Sequence, residues 1–122
     1  MHHGVLTCAQ ETPLTDVAEL MADHRVHCVV VSDDDAEALW GIVSDLDLVA
    51  AALVRDLDEQ TAGGSAASPV LVVGPDETVE RAAQLMTEHA TAHLVVVDAS
   101  QPVGVVSTLD VAAALAGACA PI

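Results

Sequence analysis

The chain has no phenylalanine, no tyrosine and no lysine, and a single tryptophan, Trp40. Yet 52% of its 122 residues are hydrophobic. Its core must therefore be built from Val, Leu and Ala, small side chains that suit close packing of strands against helices. Basic residues are nearly as scarce, with three Arg against 19 acids and a formal charge of −16. Binding along a nucleic acid needs clustered Lys and Arg, which argues against a DNA or RNA partner. An anionic membrane surface is disfavoured on the same ground. The acidity serves solubility, and it repels an anionic ligand unless a site compensates locally. No apolar run reaches the roughly 18 residues that a membrane helix requires. The opening MHHGVLT lacks the charged start and apolar stretch of a signal peptide, and His2 and His3 are assigned no function. Cysteine is limited to Cys8, Cys28 and Cys119, without CxxC spacing. Cys8 and Cys28 lie in apolar stretches and read as buried free thiols of a reducing cytoplasm, so a cytoplasmic location is expected.

What the sequence does contain is a repeated phrase. GIVSDLD runs from Gly41 to Asp47, and GVVSTLD runs from Gly104 to Asp110. The surroundings repeat too. Leu6 and Leu71, Leu20 and Leu85, and Met21 and Met86 are each 65 apart, His27 and His93 are 66 apart, and Gly41 and Gly104 are 63 apart. Such self-similarity marks an internal duplication. The first copy reads as a strand (VLTCA), a helix with Thr12 as N-cap and Pro13 at its first position, a strand (HCVVVSD), an acidic loop (DDDAEA), a strand (LWGIVS) and a helix from Ser44 to about Arg55. The second reads as a strand (PVLVVG), a helix capped by Asp76, the strands HLVVVD and VGVVS, and a closing helix from Thr108 to Ala116. Between them lies a linker, residues 57–68, with the Gly/Ala/Ser-rich EQTAGGSAAS in it. Repeat one is thus expected over 5–56 and repeat two over 69–118, each β-α-β-β-α, stacked around one core because neither buries its sheet alone.

A β-α-β-β-α unit that ends in Gly-hydrophobic-hydrophobic-Ser-x-x-Asp, present twice, resembles a tandem pair of CBS (cystathionine β-synthase-type) domains. The resemblance covers about Val5 to Leu115 and implies an α/β (α+β) module of two repeats packed with pseudo-two-fold symmetry, often a homodimer. It further implies a regulatory sensor rather than an enzyme, with an adenosine compound (AMP, ADP, ATP or S-adenosylmethionine) as the regulatory ligand in clefts between the repeats.

The residues themselves allow two readings of Ser-x-x-Asp. A Ser at the strand–helix junction with an acid three residues on is a capping arrangement, which needs no ligand. A helix N-terminus also presents N–H groups to a phosphate, and an Asp there can accept hydrogen bonds from a ribose. The resemblance adds residues to the second reading. One pocket is expected to use Asp110 for the ribose and Ser107 and Thr108 for polar contacts. Thr7, Val26 and Val105 would wall an adenine in it, with His27 and His93 near the phosphate. The mirror pocket is expected to use Asp47, Ser44, Ile42, Val72 and Ala92, with the same two histidines.

Three departures weaken a polyphosphate: there is no lead-in segment upstream of Val5, Arg25, Arg55 and Arg81 are scattered, and Asp45 adds an acid to the first motif. AMP, or an empty pocket, is favoured over ATP. The competing reading is a ligand-free CBS dimer that acts as a protein–protein interaction module. Neither a catalytic constellation nor a metal site is expected, since His24 and His27 straddle a helix end, and no cofactor is required. A homodimer is expected from the apolar residues Leu14, Val17, Leu20, Leu46 and Val49, which cover more than one helix face. The ligand's identity and the regulated protein are not encoded in any motif.

Overall fold

The computed structural model describes residues 2–3, 5–33, 39–67 and 70–117, with side chains from Val5 onward. The acidic loop at 34–38, Ser68 and Pro69, and the tail from 118 with Cys119 lie outside the described residues.

Aliphatic runs with β-branched residues form the strands, and the helix-spaced segments between them form the helices. In chain order these are β1 (His2–His3), β2 (Thr7–Ala9), α1 (Leu14–His24), β3 (Cys28–Ser32), β4 (Leu39–Ser44), α2 (Asp45–Ala52), a 3-10 turn (Leu57–Glu59), α3 (Ala62–Ser65), β5 (Val72–Val73), α4 (Val79–His89), β6 (His93–Asp98), β7 (Gln101–Ser107) and α5 (Thr108–Leu115). The expected β-α-β-β-α order appears twice, as β2-α1-β3-β4-α2 and β5-α4-β6-β7-α5. The chain divides into two compact units, one of Leu6–Val70 and one of Met1–Val5 with Leu71–Ile122.

In the first unit the sheet order is β2-β3-β4, with β2 parallel to β3 and β4 antiparallel to it. Val29 and Val31 alternate along β3 towards the helix side, where they meet Leu14, Val17 and Met21 of α1 and Leu48 of α2. The second unit has the order β1-β7-β6-β5, and Leu94, Val96 and Val106 pack with Ala82, Met86 and Val111. Both cores are aliphatic apart from a methionine, as the lack of aromatics requires. Leu14 and Val17 are fully buried there, so they are not available for assembly, contrary to the expectation above. Leu46 and Val49 of α2 do stand in solvent.

Helix boundaries shift where backbone donors find other partners. Pro13, not Thr12, occupies the N-cap of α1 in an extended conformation, without a side-chain cap. The orphan N–H of Leu14 goes instead to the carbonyl of Gln60 at 2.9 Å. Thr78, not Asp76, caps α4, its hydroxyl accepting the N–H of Arg81 at 3.1 Å. α2 stops at Ala52 rather than near Arg55, because Gln60 Nε2 donates to the carbonyls of Ala51 (2.9 Å) and Arg55 (3.0 Å). α1 and α4 end alike, on Arg25 and Ala90 in the left-handed region. The N–H groups of Val26 and Thr91 then return to Met21 and Met86.

Residues 57–67 are more ordered than their Gly/Ala/Ser composition suggests. Ala62 and Gly63 donate to the carbonyls of Thr12 and Gln10, each at 2.8 Å, and Ala67 exchanges two hydrogen bonds with Ile42 (2.9 and 3.1 Å). This close approach explains the first motif's glycine. A Cβ on Gly41 would lie 2.6 Å from the Ala67 carbonyl oxygen and 2.8 Å from the Ala66 Cβ. The second motif strand has a matching neighbour, since β1 pairs antiparallel with β7, His2 opposite Val105 and His3 opposite Gly104. Upstream of Val5, where no lead-in is expected, His2 and His3 therefore form a strand. Each motif strand thus lies beside the segment that precedes the other repeat's first strand.

Gly41→Ala is expected to cost about 1–3 kcal/mol, because backbone atoms of residues 66–67 must move to admit one methyl. A urea midpoint equal to that of the parent protein would show that this approach is not tight.

Candidate functional site

The two Ser-x-x-Asp motifs sit where β4 becomes α2 and where β7 becomes α5. Ser44 and Ser107 are N-caps in nearly identical extended conformations, and each forms a complete reciprocal capping box. Ser44 donates its backbone N–H to Asp47 Oδ2 at 2.8 Å and its hydroxyl to the same oxygen at 3.0 Å, while its Oγ accepts the Asp47 N–H at 3.2 Å. At Ser107 and Asp110 the corresponding distances are 2.8, 3.1 and 3.3 Å. Asp serves in place of the usual Glu because its shorter arm still reaches the N-cap N–H. Burial pushes the Asp110 carboxyl up, but the N–H and hydroxyl of Ser107 and the positive charge of the amino terminus favour the charged form, and its pKa lies below the ordinary value.

The flanking strand completes each junction. The Asp45 N–H donates to the His27 carbonyl at 2.8 Å, and the Thr108 N–H donates to the Ala92 carbonyl at 3.0 Å. Cys28 is opposite Ser44, and His93 is opposite Ser107. His27 thus corresponds to Ala92 and Cys28 to His93, a constant offset of 65. The 66-residue pairing of His27 with His93 is corrected: the two histidines are not equivalent. Keeping the 65-residue register of α1 and α4 into the next strand finds this from the sequence.

The first junction carries charge that the second lacks. Asp45 Oδ1 accepts the Leu46 N–H at 2.8 Å, and Asp45 Oδ2 lies 3.3 Å from His27 Nδ1. Both side chains are largely in solvent, so the pair adds little stability. Thr108 stands at the equivalent place without charge. Behind the junction, burial first and then the Asp45 carboxylate push the Cys28 thiol up to about 11, which leaves it protonated at neutral pH. Cys8, also free and half-buried, is raised by burial.

The candidates divide between the two units. Thr7, Val26, His27, Ile42, Ser44 and Asp47 belong to the first unit, and Val72, Ala92, His93, Val105, Ser107, Thr108 and Asp110 to the second. Ile42 is buried, opposite Val30 on β3 and bridged to Ala67. Val105 is buried between Val95 on β6 and His2 on β1. Val72 on β5 is half exposed, Thr7 is exposed at the start of β2, and Val26 packs partly buried against the first unit's core. Among the described residues no group of three or more His, Cys, Asp or Glu side chains is placed to hold a metal ion.

The model of the CBS domain matches the chain twice, over residues 1–54 and 64–117. The CBS domain-containing protein YhcV of Bacillus subtilis is 31% identical over 109 residues, covering 88% of this chain and 76% of its own. Among solved structures, a CBS domain protein from Pyrobaculum aerophilum complexed with AMP is 29% identical with a TM-score of 0.76, covering 90% of this chain and 85% of its own. Hypoxic Response Protein I, solved with two coordinated zinc ions, is 27% identical with a TM-score of 0.73, covering 92% of each chain.

Because the folded pKa of Asp110 is depressed, the stability it lends is present above the unfolded value of about 4 and is lost as pH falls through the folded value. Asp110→Asn is therefore expected to lower stability at neutral pH and to flatten the loss of stability below about pH 4. Urea midpoints measured between about pH 7 and pH 2.5 check this, and an acid limb unchanged in slope would remove Asp110 from it.

Proposed function

Since the chain belongs to the CBS-domain family, we propose that it is a regulatory module that senses an adenosine nucleotide, with AMP favoured over ATP. The observation that carries this reading is the AMP complex of the Pyrobaculum relative, which shares the fold over most of both chains. The doubled Ser-x-x-Asp junction supports it chemically. At each, an ionisable carboxylate held at the first turn offers acceptors to a ribose diol, beside helix N–H groups suited to a phosphate. Asp110 and Ser107 are the proposed ribose contacts in the second unit, with Thr108, His93 and Val105 beside them. Asp47, Ser44 and Ile42 are the counterparts in the first unit. AMP is favoured over ATP because the chain has no lysine and its three arginines, Arg25, Arg55 and Arg81, are far apart in sequence and exposed. No catalytic residue is assigned.

The two junctions are not equal. Asp45 already takes the Leu46 N–H and places a carboxylate where a phosphate would approach α2. Two like charges about 6 Å apart near a surface repel by on the order of 1–3 kcal/mol, or roughly tenfold or more in affinity. Asp110→Ala is therefore expected to abolish most AMP binding, and Asp47→Ala to leave most of it. Calorimetry with AMP, ADP, ATP, S-adenosylmethionine and zinc, on variants shown by circular dichroism to be folded, provides the test. Equal losses in the two variants would refute the ranking, and no heat with any adenosine compound would refute the sensor.

We further propose a homodimer. Leu46 and Val49 of α2, and Leu109 and Leu115 of α5, are large apolar side chains left mainly in solvent, a pattern that marks association surfaces. Sedimentation equilibrium at micromolar concentration is expected to give twice 12.5 kDa, and Leu46→Glu with Leu109→Glu is expected to shift it to the monomer mass. A monomer before substitution would rule the dimer out.

A further inference from the structure

The charge of this protein is spread over a surface with almost nothing to balance it. No acidic side chain among the described residues is buried, and most are exposed. Against the 19 acids there are three arginines, and Arg81 gives its Nη1 to the amide oxygen of Gln84 at 2.9 Å. His27 and Asp45 form an ion pair, and it is exposed.

Local spacing makes the repulsion worse. Asp16, Glu19 and Asp23 fall three and four residues apart on α1, all exposed, so like charges neighbour one another along one helix face. Asp23 also stands in the last turn, at the negative end of the helix dipole. Asp56, Asp58 and Glu59 crowd the 3-10 turn beyond α2. The opposing apolar term is modest, because the core side chains are Val, Leu, Ala, Ile and Met and the single aromatic, Trp40, lies at the surface.

From these observations we infer that ionic strength controls the native fold: repulsion among exposed carboxylates destabilises it at low salt, and salt approaching the molar range stabilises it by screening. Unfolding moves the charges apart, so the compact state bears most of the repulsion. The screening length falls from about 10 Å at 0.1 M to about 3 Å at 1 M, a span that covers neighbours on a helix face. The Asp16–Glu19–Asp23 stripe on α1 is a concentrated part of the effect.

The experiment is urea denaturation at neutral pH in KCl from about 0.05 M to about 3 M, urea being an uncharged denaturant. The midpoint is expected to rise across the series, more than in sucrose of matched osmolality. In Glu19→Gln/Asp23→Asn it is expected to start higher and rise less, so that the two curves converge at high salt. Neither residue belongs to the capping boxes or the proposed site. Repetition at tenfold lower protein concentration is expected to give the same rise, which separates screening within the chain from salt-driven association. A flat or falling midpoint, an equal rise in sucrose, an equal rise in the variant, or a rise that vanishes on dilution would each overturn the inference.

Discussion

The reciprocal hydrogen bonds between Ser44 and Asp47, and between Ser107 and Asp110, fix how each unit turns from strand to helix. Each box satisfies two otherwise orphaned N–H groups where a motif strand passes straight into a helix. The direction of α2 and α5 follows from it, and with that direction comes the burial of Leu48 and Ala51 on one helix and Val111 on the other. The same carboxylates carry the proposed ribose contacts. On that proposal structure and ligand chemistry draw on the same atoms, and a substitution at either Asp acts on both.

A core without aromatics imposes the second constraint. Small side chains fill space only if backbones come close, and β4 at Gly41 is where this is most visible. Gly41, which opens the first motif, is thus explained by a neighbouring strand-like segment, Ala66–Ala67. Its explanation is steric and needs no ligand. Asp45 shows how two junctions with the same skeleton come to differ chemically, since one substitution relative to Thr108 places a carboxylate at a helix start and engages His27.

Much of this was readable in the residues. The 65-residue offset, the aliphatic runs and the two Ser-x-x-Asp phrases give the β-α-β-β-α order and both capping boxes, because capping and hydrophobic periodicity act over a few neighbouring residues. Some boundaries were not readable. The N-cap of α1 depends on Gln60, which is 46 residues beyond Leu14 in the chain, and Thr78 competes with Asp76 for the start of α4 on geometry rather than on residue type. The mispairing of His27 with His93 arose because two like residues one step out of register look alike on paper, whereas the ladder places Cys28 opposite Ser44.

The order of residues was enough to set the duplication, the aliphatic character of the core, the helix caps at Ser44 and Ser107, and the electrostatic sign of the whole molecule. Each of these depends on composition or on contacts within a few residues. It took long-range packing to place His2 and His3 beside β7, to fold residues 57–67 into the first unit, and to make Leu14 and Val17 interior while Leu46 and Leu109 face solvent. Those outcomes depend on which distant segments supply hydrogen bonds and apolar cover, and helical periodicity marks an apolar face without naming what will lie against it.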